Sequence, residues 1–546
     1  MITDNGQRTT AKLCVPVCVR RADELRATVT RAAAVADIVE LRLDCLADGA
    51  QLEAARAELP AIFAARTRPF ILTFRSPEQG GRRALTERAC VRFWQTCWRD
   101  WQAGAPRPDF VDIELDLLLA HGPQVWPAAE ADAQTGARID VNARPALICS
   151  HHDFAGIPAD LAALYERMTR TPARVCKLAV AAHDATDCLA LFQLLARARR
   201  EGRAVVVVGM GAAGLATRVL APAHGALLTY GALDADHATA PGQLAAQTLR
   251  DLYRVHALDA RTAVYGLLGR PVAHSLSPHL HNAAFAARAL NAVYVPFDVG
   301  DAPAFIRRLA HPRTRELDLN IRGLSVTAPH KQAVIPLLDS VDDAAREVGA
   351  VNTIVFDGDA LRGHNTDAAA ALAPLAAALE LRGARVALLG AGGAARAVLW
   401  ALRRAGAHTT VFARDEARAR PVAAQFDAAT SALHTTARFA GFDLVINATP
   451  LGTRGHAEDQ TPADASQLRG PRAAYDLVYN PADTRFMREA RAAGCAHVAG
   501  GFEMLVAQAA AQFELWTVQP APLDAMRAAA ERQMRAGDAD QSGRGA

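Results

Sequence analysis

Lysine is scarce in this chain. Of its 60 Lys and Arg residues only Lys12, Lys177 and Lys331 are lysine, and arginine and alanine are abundant, a bias of genomic base composition rather than of function. An excess of charge is missing too. Sixty basic against 57 acidic residues leave +3 over 546 positions, which excludes nucleic-acid or membrane-surface binding driven by global charge. There is no C-x-x-C pair, and the nine cysteines (Cys14, Cys18, Cys45, Cys90, Cys97, Cys149, Cys176, Cys188, Cys495) are odd in number and scattered. Cys14, Cys18, Cys149 and Cys176 lie in apolar runs and read as small core residues. That usage fits a reducing compartment, hence the cytoplasm, and no metal site is expected. No apolar stretch reaches membrane-spanning length without a charge or glycine. The first residues, MITDNGQRTTAK, lack an apolar h-region and are too short for a transit peptide. The last, AGDADQSGRGA, are small and polar and are expected to be disordered.

What is present is a long, apolar-rich chain: 51% hydrophobic and 21% charged residues, enough for several cores. In the first half, eight apolar runs alternate with segments of helical spacing such as Ala159–Thr169 and Ala185–Arg200. The runs are Leu13–Val19, Asp37–Leu43, Pro69–Phe74, Phe110–Leu115, Ala146–Ser150, Arg174–Val180, Ala204–Val208 and Ala226–Tyr230. Eight β–α units in about 250 residues have the size and rhythm of a (β/α)8 barrel, with an open doubly wound sheet as the alternative. Boundaries are expected to give a barrel at 1–258, an α/β domain at 259–366, a dinucleotide-type domain with C-terminal helices at 367–535 and a tail at 536–546.

Polar residues fall where a barrel would use them. Glu40, Arg42 and Asp44 share one face at strand period. Helices cover the outside of a parallel barrel, so that face must be the lumen. Arg75 follows the third run, His152 the fifth, and Lys177 sits inside the sixth. Desolvation of a lysine in an apolar run would favour the neutral amine that Schiff-base chemistry needs. An ammonium that reaches water over a packed stem is the ordinary alternative for an isolated lysine.

Across residues 10–255 the stretches VELRLD, FRSPEQGG, SHHDF, VCKLAV and ATAPGQ together resemble type I 3-dehydroquinate dehydratase. The resemblance implies an imine between Lys177 and the ring ketone of 3-dehydroquinate, with His152 moving the protons. His152, rather than His151, directly precedes Asp153–Phe154 as the motif requires. By the same resemblance Arg218 takes the substrate carboxylate, Thr239 and Gln243 hold the substrate, and Glu40, Arg42 and Arg75 line the site. One position departs: the family carries a glutamate before the paired glycines, where this chain has Gln79. Either the neighbouring Glu78 substitutes, or this half works more slowly.

From about 262 to 530 the motifs GRPVAHSLSP, GLSVTAPHK, VGAVNT, HNTD, GAGGAARA, NATPLG, DLVYNP and GGFEMLVAQ resemble shikimate dehydrogenase. That implies a two-lobed α/β unit with a Rossmann-type NADP domain. Lys331 and Asp367 would pass a proton to the ketone oxygen as hydride arrives. Ser275, Ser277, Thr327, Asn352, Tyr479 and Gln508 would bind substrate. Gly390, Ala391, Gly392, Gly393 and Ala394 form the glycine loop between a strand and a helix, with Thr449 and Gly501 also at the cofactor. Arg414 and Arg418 favour a 2′-phosphate and so NADP, whereas Asp415 beside them would suit NAD.

The two resemblances meet at 3-dehydroshikimate, the product of the first reaction and the ketone reduced to shikimate in the second. They imply a bifunctional enzyme of aromatic amino-acid biosynthesis with small-molecule substrates and no nucleic-acid or membrane partner, its oligomeric state left open. Two other readings stay compatible: a catabolic NAD-dependent quinate or shikimate dehydrogenase with an attached dehydratase, and a dehydratase half that is only structural or regulatory.

Overall fold

The computed structural model describes residues 11–127, 144–375, 379–434, 436–455 and 457–544. These form two compact units, one running to Thr262 and including Val295–Val299, the other made of the remaining residues from Ala263.

The first unit carries eight strands: β1 (Lys12–Val17), β2 (Ile38–Arg42), β3 (Phe70–Thr73), β4 (Phe110–Glu114), β5 (Ala146–Asp153), β6 (Val175–Ala181), β7 (Ala204–Met210) and β8 (Leu228–Tyr230). Each expected run holds one. The strand pairings are parallel and follow chain order from β1 to β7, with β8 returning to β1. The Leu227 N–H donates to the Val205 carbonyl at 2.9 Å, tying the approach to β8 onto β7. The result is a nearly closed parallel barrel, not the open sheet kept as an alternative. Val39 and Leu41 are fully buried under the outer helices, while Glu40 and Arg42 are buried on the other face, so the charged face of β2 is the lumen.

One expectation is overturned. Cys18 is not a core thiol but is bonded to Cys45. Cys18 directly follows β1, Cys45 lies three residues past β2, and the parallel register (Val17 opposite Leu41) brings the following loops side by side. Cys14, Cys149 and Cys176 are free and buried.

The second unit has two sheets. The first contains β9 (Ala263–Gly269), β10 (Ala292–Asp298), β11 (Ile321–Val326), β12 (Ser340–Val341), β13 (Thr353–Asp357) and β14 (Ala360–His364), in the order β10-β9-β11-β13-β14-β12. The second contains β15 (Arg385–Leu389), β16 (His408–Ala413), β17 (Ala429–Ala432), β18 (Leu444–Asn447), β19 (Ala473–Asp476) and β20 (His497–Ala499). Its order, β17-β16-β15-β18-β19-β20, is all parallel. This is the doubly wound arrangement, whose switch point lies between β15 and β18.

Of the C-terminal helices Phe502–Thr517 and Leu523–Arg544, expected with the dinucleotide lobe, the first packs against that lobe through Met504, and both also build the core of the other lobe. Val506, Phe513, Trp516, Met526 and Ala530 share a core with Tyr265, Leu280, Phe285 and Tyr294 of the β9–β10 lobe. A Cβ on Gly323 would lie 2.5 Å from the Trp516 ring, so glycine in β11 is what lets the first of these helices approach. The backbone of the polar tail also continues as helix to Arg544. Extending a helix already nucleated at Leu523 costs little per residue, even for polar side chains.

Candidate active sites

Eight expected residues of the barrel, Glu40, Arg42, Arg75, His152, Lys177, Arg218, Thr239 and Gln243, line one cavity. Lys177 is buried, but its walls are not apolar as expected. Its Nζ donates to Asp112 Oδ2 at 2.8 Å and to Glu40 Oε1 at 3.3 Å, and lies 4.4 Å from the centre of the Tyr230 ring. Asp112 also accepts from Arg75 Nη2 (2.9 Å) and from Ser150 Oγ (2.6 Å). Burial alone would push the Asp112 carboxyl up, but Arg75 and Lys177 hold it well below the usual carboxylate range. Thr73 Oγ1 donates to Glu40, and Arg42 grips Asp44 with two bonds of 2.8 and 2.7 Å. Burial opposes the Arg42 charge, and Asp44 outweighs it.

Ser150 and His152 point into the lumen; both meet Arg75 Nη1, at 3.1 Å and, for His152 Nδ1, 2.9 Å. His151, between them on β5, belongs to the opposite face. An arginine only donates, so His152 Nδ1 is the acceptor and the neutral ring carries its proton on Nε2. Burial, then the Arg75 and Lys177 charges, lower the His152 pKa well below its ordinary value. Gln79 is buried and its Oε1 accepts from the His152 backbone N–H at 2.7 Å. It therefore fixes the strand end and not the imidazole. Glu78 is exposed and does not substitute for the missing carboxylate. A Cβ on Gly81 would sit 2.2 Å from the Arg75 carbonyl, so that glycine lets the loop fold back onto the end of β3.

Arg218 is 1% exposed, and one Nη donates to the Pro241 carbonyl at 3.0 Å while its Nε has no partner. Burial lowers its pKa to about 10. A buried cation with a free donor on a cavity wall is a socket for an anion. Thr239 N–H and Oγ1 both donate to Gln243 Oε1, which leaves the Gln243 amide nitrogen for a ligand. Asp112 and Ser150 were not among the expected site residues. Asp112 alternates with Val111 and Ile113 just as Glu40 does with Val39 and Leu41, so the signal was present. Tyr230, with its buried hydroxyl unpartnered, was missed as well.

In the second unit Lys331 Nζ lies 2.5 Å from Asp367 Oδ2. Asp367 is in the first turn of helix Thr366–Ala370, which Asn365 caps by accepting from the Ala368 N–H. Asn352 joins this group: its Nδ2 donates to Thr366 Oγ1 and its Oδ1 accepts from the Thr366 N–H. Ser275 accepts from the Ser277 N–H at 3.2 Å and interacts with the half-buried Tyr479 phenol. Thr327 packs where a Cβ on Gly269 would lie, 2.2 Å away. Gln508 turns its amide onto its own helix, donating to the Leu505 carbonyl.

The Lys331 stem also meets the glycine loop: a Cβ on Gly393 would be 3.5 Å from Lys331 Cδ. Gly390 takes φ +108°, a conformation that favours glycine. Gly392 caps helix Gly393–Arg404 with no side chain, and nothing lies within 4 Å of where its Cβ would be. Ala391, Gly393 and Ala394 complete this open helix start, at which anions bind. Thr449 lies against Gly390, its methyl 3.1 Å from the Cβ position. Gly501 packs tightly under the Leu477 carbonyl.

The Type I 3-dehydroquinase model matches residues 13–259, the shikimate dehydrogenase substrate binding domain 267–354, and the Shikimate 5′-dehydrogenase C-terminal domain 501–531. The chain is 31% identical over 537 residues to a chloroplastic bifunctional 3-dehydroquinate dehydratase/shikimate dehydrogenase of Arabidopsis thaliana, with 93% of this chain and 82% of that protein covered. The chain belongs to the bifunctional 3-dehydroquinate dehydratase/shikimate dehydrogenase family. Its second half is also 44% identical over 280 residues to a shikimate dehydrogenase (NADP(+)) of Moorella thermoacetica, covering 49% of this chain and 92% of that one. A Thermus thermophilus shikimate 5-dehydrogenase solved with NADP(H) and shikimate is 37% identical, covering 50% of this chain and 99% of that one (TM-score 0.43).

The chain is a member of this family of lyase–oxidoreductase fusions in the shikimate pathway, and the relatives of its second half are named as NADP(+) enzymes. The residues fit that cofactor. Asp415, which would suit NAD, is occupied as the cap of helix Glu416–Gln425, its Oδ1 accepting from the Arg418 N–H at 3.0 Å. The Arg414 and Arg418 side chains are exposed and have no ion-pair partner among the described residues. No described helix is long and apolar enough to cross a membrane.

Proposed function

We propose that Lys177 carries the dehydration and Lys331 the ketone reduction, in that order, on the way from 3-dehydroquinate to shikimate. Lys177 gives up a proton to the carboxylates it faces and adds to the ring ketone. Loss of water leaves a protonated imine, which draws electrons from the adjacent C–H bond. His152 takes that proton on Nδ1 once this nitrogen parts from Arg75, then returns it to the departing hydroxyl as the second water leaves. Addition of water to the imine frees the amine, so one water is lost overall. The observation that carries this reading is Lys177 held between Asp112 and Glu40 in a cavity with an unsatisfied Arg218 at its wall. Arg218 would take the carboxylate, with Thr239, Gln243, Arg42 and Arg75 around the hydroxyls.

NADPH, when bound, supplies hydride to the ketone of 3-dehydroshikimate. Lys331, oriented by Asp367, donates the proton to the ketone oxygen; Ser275, Ser277, Thr327, Asn352, Tyr479 and Gln508 surround the ring. Arg414 and Arg418 receive the 2′-phosphate. The division of labour is taken as dehydratase at 1–258, substrate lobe from 259 to 366, and nucleotide lobe from 367, with the two C-terminal helices completing the substrate lobe. Seven buried free thiols against one disulfide, Cys18–Cys45, support a cytoplasmic location; the Arabidopsis relative is chloroplastic.

Borohydride added with 3-dehydroquinate is the test. A mass adduct on the peptide containing Lys177 is expected, and no adduct there overturns the mechanism. With NADPH and 3-dehydroquinate the same chain should oxidise the cofactor. A more than tenfold preference for NAD with quinate would favour the catabolic reading instead.

A further inference from the structure

Behind the dehydrogenase site a chain of buried hydrogen bonds runs across four elements. Tyr294 Oη on β10 donates to Ser325 Oγ on β11 (2.8 Å). Ser325 Oγ donates to Gln512 Oε1 on helix Phe502–Thr517 (2.8 Å). Gln512 Nε2 donates to Thr353 Oγ1 (3.0 Å) and to the Asn352 carbonyl (3.2 Å). Thr353 Oγ1 donates to Asn352 Oδ1 (2.8 Å). Every member is nearly inaccessible: Tyr294 and Thr353 are 0% exposed, Gln512 and Asn352 2%, and Ser325 4%.

Two backbone groups remove the ambiguity that hydroxyls and amides usually leave. The Asn352 carbonyl can only accept, so Gln512 must turn its amide nitrogen to it and its oxygen to Ser325. Ser325 must then donate, and so must accept from Tyr294. At the other end the Thr366 N–H can only donate, at 2.8 Å, so the atom it meets on Asn352 is the oxygen. Thr353 must therefore donate to that oxygen and accept from Gln512. Asn352 Oδ1 is saturated by Thr353 and Thr366, and one Nδ2 hydrogen is taken by Thr366 Oγ1 at 2.9 Å. What Asn352 has left to offer is a single N–H.

We infer that Gln512, with Tyr294, Ser325 and Thr353, is a positioning device that locks Asn352 as a donor, and so selects a substrate whose ring oxygen opposite Asn352 accepts. The inference rests on the reading above that Asn352 touches the ring. A group that cannot accept there leaves a buried N–H unpaired, which is how a site built for a hydroxyl rejects its absence.

Shikimate oxidation by the full chain, with shikimate and the two mono-deoxy analogues that keep the reacting carbinol, tests this. Asn352→Ala should lose discrimination against one analogue; that analogue then reports on Gln512. Gln512→Met keeps the volume and removes the bonds. It should raise KM for shikimate roughly 10-fold and cut the preference over the same analogue by a similar factor. Its kcat and its KM for NADP should stay within about threefold, and combining it with Asn352→Ala should add nothing. Tyr294→Phe, which keeps the ring packed, should shift KM the same way by about threefold. Loss shared equally by shikimate and both analogues, a parallel rise in the KM for NADP, or an additive double variant would reduce Gln512 to a structural residue. If Asn352→Ala still discriminates both analogues as the unaltered chain does, the placement of Asn352 at the substrate fails, and the inference with it. If Asn352→Ala loses discrimination and neither Gln512→Met nor Tyr294→Phe does, the inference alone fails.

Discussion

Lys177 and Asp112 face each other from β6 and β4 with 2.8 Å between Nζ and Oδ2, both buried. The pair gives the amine a built-in proton acceptor. It also separates lysine from arginine at this position. A guanidinium could make the same ion pair but cannot be deprotonated, so it cannot become a nucleophile. Lys177→Arg and Lys177→Ala should both abolish dehydration and borohydride trapping. Oxidation of shikimate with NADP should persist in both, which a spectrophotometric assay of the purified variants reads directly.

Asp112→Asn should slow dehydration by roughly 10²-fold, at the low end of losses from an acid–base group. It removes the one carboxylate shared by Lys177, Arg75 and Ser150, leaving Lys177 with Glu40 and Arg75 with the weaker pull of Glu114 and Glu40. Single-turnover trapping should show the Lys177 adduct forming slowly rather than not at all. Unchanged trapping kinetics would leave Asp112 as a structural anchor.

On the proposed mechanism the acid limb of dehydration belongs to His152. Its depressed pKa means that the neutral imidazole persists as pH falls below 6.5, so kcat/KM should hold there and drop only at more acid pH. Arg75→Gln removes the nearest cation from Nδ1 and should move that limb upward, towards 6.5. A pH profile of kcat/KM from 4.5 to 8 distinguishes this from loss of substrate contact, which would lower the whole curve without moving the limb.

Much of this was legible in the residues. All eight barrel strands could be read because strands buried on both faces appear as apolar runs, and a charge alternating within such a run must face the lumen. Lysine carries a further signal that composition alone obscured. In a chain where arginine stands at nearly every basic position, Lys177 and Lys331 stand at the two sites proposed for proton transfer. Periodicity places a residue on a face but not against a particular neighbour. Asp112 therefore passed unnoticed although it alternates as Glu40 does, and the Cys18–Cys45 pair, 27 residues apart, depended on a register that no spacing reveals. Sequence order puts the C-terminal helices after the nucleotide lobe, which Met504 does join, but it gives no sign that Gly323 opens a space in the other lobe for Trp516.

Lys331→Ala should reverse the pattern of Lys177→Ala, costing roughly 10²–10⁴ in kcat for ketone reduction as the loss of a general acid does, with dehydration intact. The ion pair with Asp367 orients the ammonium, so Asp367→Asn should be impaired in kcat as well. Loss of both activities from either single change would mean that the two units do not work independently.

Cofactor preference gives the sharpest separation between neighbouring residues. Arg414, Asp415 and Arg418 lie within one turn of the end of β16, yet the proposed function gives them different tasks. The Asp415 carboxylate caps a helix, which asparagine does equally well; Asp415→Asn should therefore leave the ratio of kcat/KM for NADP over NAD within about twofold. Replacing both arginines by alanine removes the only cations expected at the 2′-phosphate. That ratio should fall roughly 10- to 100-fold, almost entirely through the KM for NADP, since NAD has no group for them to meet. If Asp415→Asn instead raised the NADP preference tenfold, the carboxylate would be reading the ribose and not capping the helix, and the assignment of the two arginines would need to be revised with it.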